Sequence, residues 1–170
     1  MVERETVERF VDSAERFCSL IEHHQSLTAW KFVCLCAPCL ADLYGAAVPL
    51  SPLSVEIDSA ELIEDAFSTD RAKAIDCEIG DKLGRQRLYW EVFDPREESD
   101  PVVGDLGDDL ADIYRDVKNG LVAFNKGSTN EAIWHWQFGF RFHWGDHVVD
   151  ALRVTHRLVC ASLEKEQGFP

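Results

Sequence analysis

The sequence predicts an all-α fold, a single-domain helical bundle of about six helices spanning residues 1–170, and three observations carry that prediction. Apolar residues recur every three or four positions through Val7–Ile21, through Leu106–Phe124 and from Ile133 toward the C-terminus, the spacing of one buried helix face. A 17-residue stretch, EAIWHWQFGFRFHWGDH from Glu131 to His147, holds three of the five tryptophans and three of the ten phenylalanines. Each such ring can bury roughly 150–250 Å², so the rest of the chain must cover this stretch. Finally, no second convincing strand is present to pair with any first one, and a lone strand has nowhere to send its backbone hydrogen bonds.

Val7, Phe10, Ala14, Phe17 and Ile21 define an amphipathic first helix, with Glu8, Arg9, Asp12, Glu15 and Arg16 between them. It runs out at His23-His24, read as a solvated helix C-terminus where a partly cationic ring suits the dipole. Ser26 can cap a second helix, Leu27 to Tyr44, so poor in charge that it belongs at the centre of the bundle. Pro38 should kink or break it. Cys34, Cys36 and Cys39 lie inside this apolar run. Structural zinc wants four converging ligands on turns, so these cysteines are read as core packing, with zinc or an iron–sulfur cluster as the alternative.

Pro49 and Pro52 make Ala46–Val55 a connection. Asp58–Phe67 and Asp70–Leu83 read as two modest helices, the second capped by Ser68 or Thr69 and ended by Gly84. Tyr89, Trp90 and Phe93 precede the longest clear loop, Asp94–Gly104. Asp105 is the expected N-cap of the cleanest helix, with Asp108 and Asp109 in its first turn. Beside the apolar stripe Leu106, Leu110, Ile113, Val117, Leu121, Phe124 runs a second line, Asp105, Asp109, Asp112 and Asp116. Successive residues turn about 100°, so this acidic line flanks the buried face. Ser128-x-x-Glu131 is a capping box opening the aromatic stretch. There the period-two alternation from Trp134 to Trp144 competes with a helical spacing, and the helical reading is preferred. Gly145 either bends one long helix or separates two.

The net charge of −14 opposes nucleic acid and anionic membranes, which are bound by cationic side chains, and suits solvation or a cationic partner. The charged start, with no apolar leader, and no run approaching ~20 apolar residues predict a cytoplasmic protein with reduced thiols and no membrane span. No phosphate loop, dinucleotide fingerprint, nucleophile elbow or HExxH motif occurs, so the chain carries no catalytic signature.

The run Gly107-Asp108-Asp109-Leu110-Ala111-Asp112-Ile113-Tyr114-Arg115-Asp116-Val117-Lys118, followed by Trp134-x-Trp136 and His143-Trp144-Gly145-x-His147, resembles the DUF5063 family, small bacterial proteins described as a domain of unknown function. Leu43-Tyr44 and Tyr89–Pro95 are similar too. The resemblance implies an all-helical bacterial protein and carries over no catalytic residue.

Two readings of function remain. In the first, the chain is a non-catalytic helical interaction module with no cofactor, and part of its surface meets a protein partner or a second copy. Trp134, Trp144, Asp105 and Asp109 are the candidate binding residues, with Trp134 and Trp144 expected to be partly exposed. In the second, it is a metal-binding protein or metal-dependent enzyme holding a divalent ion. His143, His147 and Asp150 would share a helix face at i, i+4 and i+7, and Asp112 and Asp116 would complete the set from the acidic helix. Ion-pair networks are commoner than sites, which favours the first. Both readings expect the acidic helix to pack beside the HWGDH segment, with an aspartate in hydrogen-bonding reach of a histidine or arginine.

Overall fold

The computed structural model describes residues 2–50, 69–92 and 94–167. Six α-helices account for most of them: α1 Val2–Glu22, α2 Ala29–Leu50, α3 Thr69–Leu83, α4 Leu106–Asn125, α5 Thr129–Phe142 and α6 Trp144–Gln167. The expected Asp58–Phe67 helix lies outside the described residues.

Helix α4 is the hub and packs against α1, α3, α5 and α6. Its stripe is buried as the spacing requires, with Leu106, Leu110, Ile113 and Val117 at 0% exposure. Asp105 caps it, its Oδ1 accepting from the Gly107 amide at 2.9 Å. At the other end Gly127 takes φ +92°, which a β-carbon disfavours, and the Ser128 amide bonds back to the Ala123 carbonyl at 3.1 Å. This sharp reversal lays α5 antiparallel against α4. Ser128 makes no side-chain cap bond, so the expected capping box does not form.

Helix α2 runs on through Pro38 and Pro49, so Pro38 does not break it and the connection expected from Ala46 is helical to Leu50. Its start is marked by Thr28, whose Oγ1 accepts from the Lys31 amide at 3.3 Å, and not by Ser26. Its length and composition would also suffice to cross a membrane, contrary to the sequence expectation. In this fold Phe32, Val33, Cys36, Leu40, Leu43, Ala46, Ala47 and Leu50 face the core, and the helix packs on α1, α5 and α6. His24 is likewise not solvated: it is 1% exposed, with Nδ1 donating to the Ile21 carbonyl at 2.7 Å and Nε2 3.7 Å from Glu78 Oε2. Packing of α3 over the α1–α2 turn outweighs the local preference for an exposed cap.

One element departs from the helical expectation. Strands β1 Leu88–Glu91 and β2 Val102–Asp105 form an antiparallel hairpin, with Tyr89 opposite Gly104 and Trp90 opposite Val103. The acidic loop between them joins the two strands. With four residues each, the strands are too short for a period of two to register in the sequence.

The aromatic stretch is helical, as preferred, but breaks one residue before Trp144. His143 (φ −152°, ψ −91°) ends α5, its amide bonding the Gly139 carbonyl at 2.8 Å, and α6 starts at Trp144. Gly145 makes that turn possible, since a β-carbon there would collide with the Phe140 carbonyl.

Candidate metal centre

Across the α4 face that meets the α5–α6 junction, the acidic line and the histidines close on one another. His143 at the junction and His147 in the first turn of α6 stand with ring centroids 5.0 Å apart and planes at 71°. Asp116 Oδ2 lies 2.8 Å from His143 Nδ1, and Asp109 Oδ1 lies 2.8 Å from His147 Nδ1. An ionised carboxylate can only accept, so each ring places a proton on Nδ1, and in the neutral ring Nε2 keeps a lone pair. Both Nε2 atoms are 3.7 Å from a single oxygen, Asp112 Oδ2, beyond hydrogen-bonding distance. The other oxygen of Asp112 is held by Arg115 Nη1 at 2.8 Å, and Arg115 Nε is 3.4 Å from Asp116. Three ligand atoms therefore converge within 4.8 Å of one another, on Asp112, His143 and His147.

Burial falls off across the group. The side chains of Asp109 and Asp116 are 7% and 15% exposed, whereas His143 is 39% exposed, so solvent reaches the converging atoms from the histidine side. Burial pushes the Asp109 carboxyl up, against the opposing pull of its bonds to His147 and Tyr89. For Asp116 burial acts in the same sense, but the His143 bond and the His143 and Arg115 charges more than offset it and hold the carboxyl below its ordinary range. The bond to Asp109 raises His147 despite its burial. Asp108, one turn before Asp112, is raised by burial and by the Asp112 charge.

The remaining sequence candidates divide. Asp150 is not among the converging ligand atoms and accepts from Arg153 Nη2 at 3.1 Å. Its offset follows from the junction: His143 lies outside α6, so a continuous i, i+4, i+7 face does not exist. Asp105 is the α4 cap and pairs with Arg87 Nε at 3.0 Å. Trp144 is 0% exposed and Asp109 5%, so neither offers the surface expected of it. The α5–α6 turn folds Trp144 inward, where its indole donates to the Trp136 carbonyl at 3.2 Å. Trp134 is 37% exposed and stacks on Phe138 at 5.2 Å, and Phe138 meets Phe142 at 5.0 Å. That exposed row was unread in the sequence, although its i, i+4, i+8 spacing is a helix face.

Tyr89 was also missed as a site residue. Its hydroxyl donates to Asp109 Oδ2 at 2.6 Å. Cys34, Cys36 and Cys39 all lie on α2, outside the three-residue group: Cys36 is buried, which pushes its thiol well up, Cys39 stands about 60° around the helix from it and Cys34 about 160°.

A family model described as a domain of unknown function, DUF5063, matches residues 2–161. Among solved structures the chain is similar to protein BF1032 from Bacteroides fragilis, at 24% identity and a TM-score of 0.77, over 90% of this chain and 91% of that one. That likeness is one of fold. No curated protein matches the chain.

Proposed function

We propose that this chain, which belongs to the DUF5063 family, binds one divalent transition-metal ion through Asp112, His143 and His147. One observation carries the reading. Each histidine is fixed by its own buried aspartate on Nδ1, and both free Nε2 atoms turn toward the same Asp112 oxygen. Carboxylate–histidine pairs of this kind set the tautomer and the orientation that a metal-ligating imidazole needs. With both rings neutral, three lone pairs face one another, an arrangement that a bound cation relieves. With ligand bonds of about 2.0–2.1 Å, a tetrahedral ion needs its ligands about 3.4 Å apart; the two distances to Asp112 are 3.7 Å and all three atoms lie within 4.8 Å of one another.

Two imidazoles and one carboxylate suit zinc, iron, cobalt or nickel rather than calcium or magnesium. Three protein ligands leave at least one position for water, the feature of a reactive rather than a purely structural site. The net charge of −14 favours cation capture, and six unpaired cysteines fit a reducing compartment such as the cytoplasm.

Metal analysis of protein purified without chelator, followed by calorimetric titration of the stripped chain, tests the reading. The expected result is about one equivalent per chain, lost in His147→Ala, with a melting temperature that rises on adding Zn²⁺. A wild-type chain with neither bound metal nor a thermal shift would overturn it.

A second reading rests on a different observation. Trp134, Phe138 and Phe142 form an exposed aromatic row at 37%, 51% and 69% exposure, and such rows are enriched where proteins meet. It supports a module that docks a protein partner or a second copy, with or without metal. Sedimentation analysis of the wild type and of Phe138→Ser/Phe142→Ser tests the second-copy case: a wild-type dimer that the double variant dissociates supports it, and a wild-type monomer removes it.

A further inference from the structure

The hairpin reaches the back of the proposed centre through Tyr89. Residues i and i+2 of a strand share a face, and on β1 these are Tyr89 and Glu91. Tyr89 donates to Asp109 Oδ2 at 2.6 Å while the other oxygen of the same carboxylate accepts from His147 Nδ1 at 2.8 Å. Glu91 is close enough to Asp150, three residues after His147 on α6, for its charge to raise that carboxyl.

The register of the hairpin serves this geometry. Gly104 stands opposite Tyr89, and a β-carbon there would collide with the phenol ring. Only glycine lets the ring lie across β2 and extend its hydroxyl to Asp109. On the opposite face Trp90 and Val103 are 68% and 56% exposed. A two-stranded hairpin of this size is marginal by itself, so its attachment to α4 and α6 is part of what orders it.

We infer that the β1–β2 hairpin is a clamp on the metal centre, with Tyr89 a positioning residue that tunes metal binding through Asp109 and His147. This inference rests on the metal reading above. Asp109 can aim at His147 only in the orientation its second oxygen accepts, and the Tyr89 hydroxyl selects that orientation. Removing an outer partner of a ligating histidine commonly weakens a metal site by 10–100-fold, and Tyr89 stands one bond further out. Linkage makes the effect reciprocal: a clamp that favours the ion is tightened by the ion.

The test is titration of the stripped full chain with Co²⁺, read by visible absorption, for wild type, Tyr89→Phe and Trp90→Ser. Tyr89→Phe keeps the ring against Gly104 and removes only the hydroxyl. It is expected to bind one equivalent about tenfold more weakly with a shifted ligand-field band, while Trp90→Ser matches the wild type. Hydrogen exchange at β1 and β2 should slow on adding Co²⁺ in the wild type and respond less in Tyr89→Phe. Unchanged affinity and spectrum in Tyr89→Phe would overturn the clamp and leave the metal site standing. Equal weakening in both variants would also overturn it, since the hairpin would then act as bulk scaffold. A wild-type chain that binds no Co²⁺ would remove the metal reading and the clamp together.

Discussion

The indole of Trp136 on α5 occupies the space that a side chain at Gly120 of α4 would need, and its Nε1 donates to the Val117 carbonyl at 3.1 Å. This contact sets how closely the two helices approach. Alanine is about 1 kcal/mol better than glycine inside a helix, yet overpacking a full core commonly costs about 1–3 kcal/mol. Gly120→Ala is therefore expected to lower stability in urea unfolding. A neutral or stabilised variant would mean that α5 shifts freely.

The aromatic stretch should respond unevenly to substitution. Trp136 is fully buried against Phe10 at 4.8 Å, and Trp136→Ala should cost about 3–5 kcal/mol. Phe142 lies at 69% exposure, and Phe142→Ser should stay within about 0.5–1 kcal/mol. Chemical denaturation of both variants checks the contrast, and similar losses would contradict the burial difference.

On the proposed metal reading Asp116 stands behind His143, so its loss should weaken metal binding and not abolish it. Asp116→Asn is expected to weaken Zn²⁺ by about tenfold at unchanged stoichiometry, whereas Asp112→Ala or His143→Ala removes binding. Calorimetry distinguishes the two classes. Asp116→Asn with wild-type affinity would leave Asp116 a purely structural partner.

Acid should weaken the α1–α4 contact. Burial pushes Glu22 up, but its bonds to Lys118 at 2.6 Å and Tyr114 at 2.7 Å prevail and hold its carboxyl below the ordinary value of 4.5. A lowered acid stabilises the fold above its unfolded value, and that contribution is lost as pH falls through the folded one. Glu22→Gln should be less stable than wild type at pH 7, and the difference should close as pH falls below the ordinary carboxylate range. A gap that persists in acid would assign the effect to packing.

Asp150 has the opposite sign. Burial, then its bond to Glu91, raises its carboxyl to about 6. Its protonated form favours the fold, and that benefit is lost as pH rises through the folded value. Asp150→Asn keeps a neutral donor toward Glu91, so it should be more stable than wild type at about pH 8, by on the order of 1 kcal/mol after solvent screening, and equal to it near roughly pH 4. Equal stability at both pH values would argue against the shared proton.

The amphipathic stripes of α1 and α4, the Asp105 cap and the helical state of Glu131–His147 were legible because each depends on neighbours within about four residues. So was the meeting of the acidic line with the histidines, since polar groups that flank a closing apolar face must find partners. The hairpin was not legible: its pairing joins residues on either side of a ten-residue loop, and neither strand is long enough to declare itself. His24 and Trp144 were misplaced for a related reason. A polar ring at a helix end and an indole beside a glycine read as surface until another element is packed over them.

By itself, then, the sequence determined a single all-α domain, the core faces of its helices and a short set of histidines and aspartates worth joining. Only the tertiary structure decided their roles. It brought both Nε2 atoms to within 3.7 Å of one Asp112 oxygen, put Asp109 and Asp116 behind the rings, paired Asp150 with Arg153, and brought Tyr89 in from the hairpin. Periodicity states which face a residue occupies, whereas which atom of a carboxylate meets which atom of an imidazole depends on the helix-to-helix distance and rotation. Those are set by distant pairs such as Gly120 and Trp136, through steric exclusion that no local pattern records.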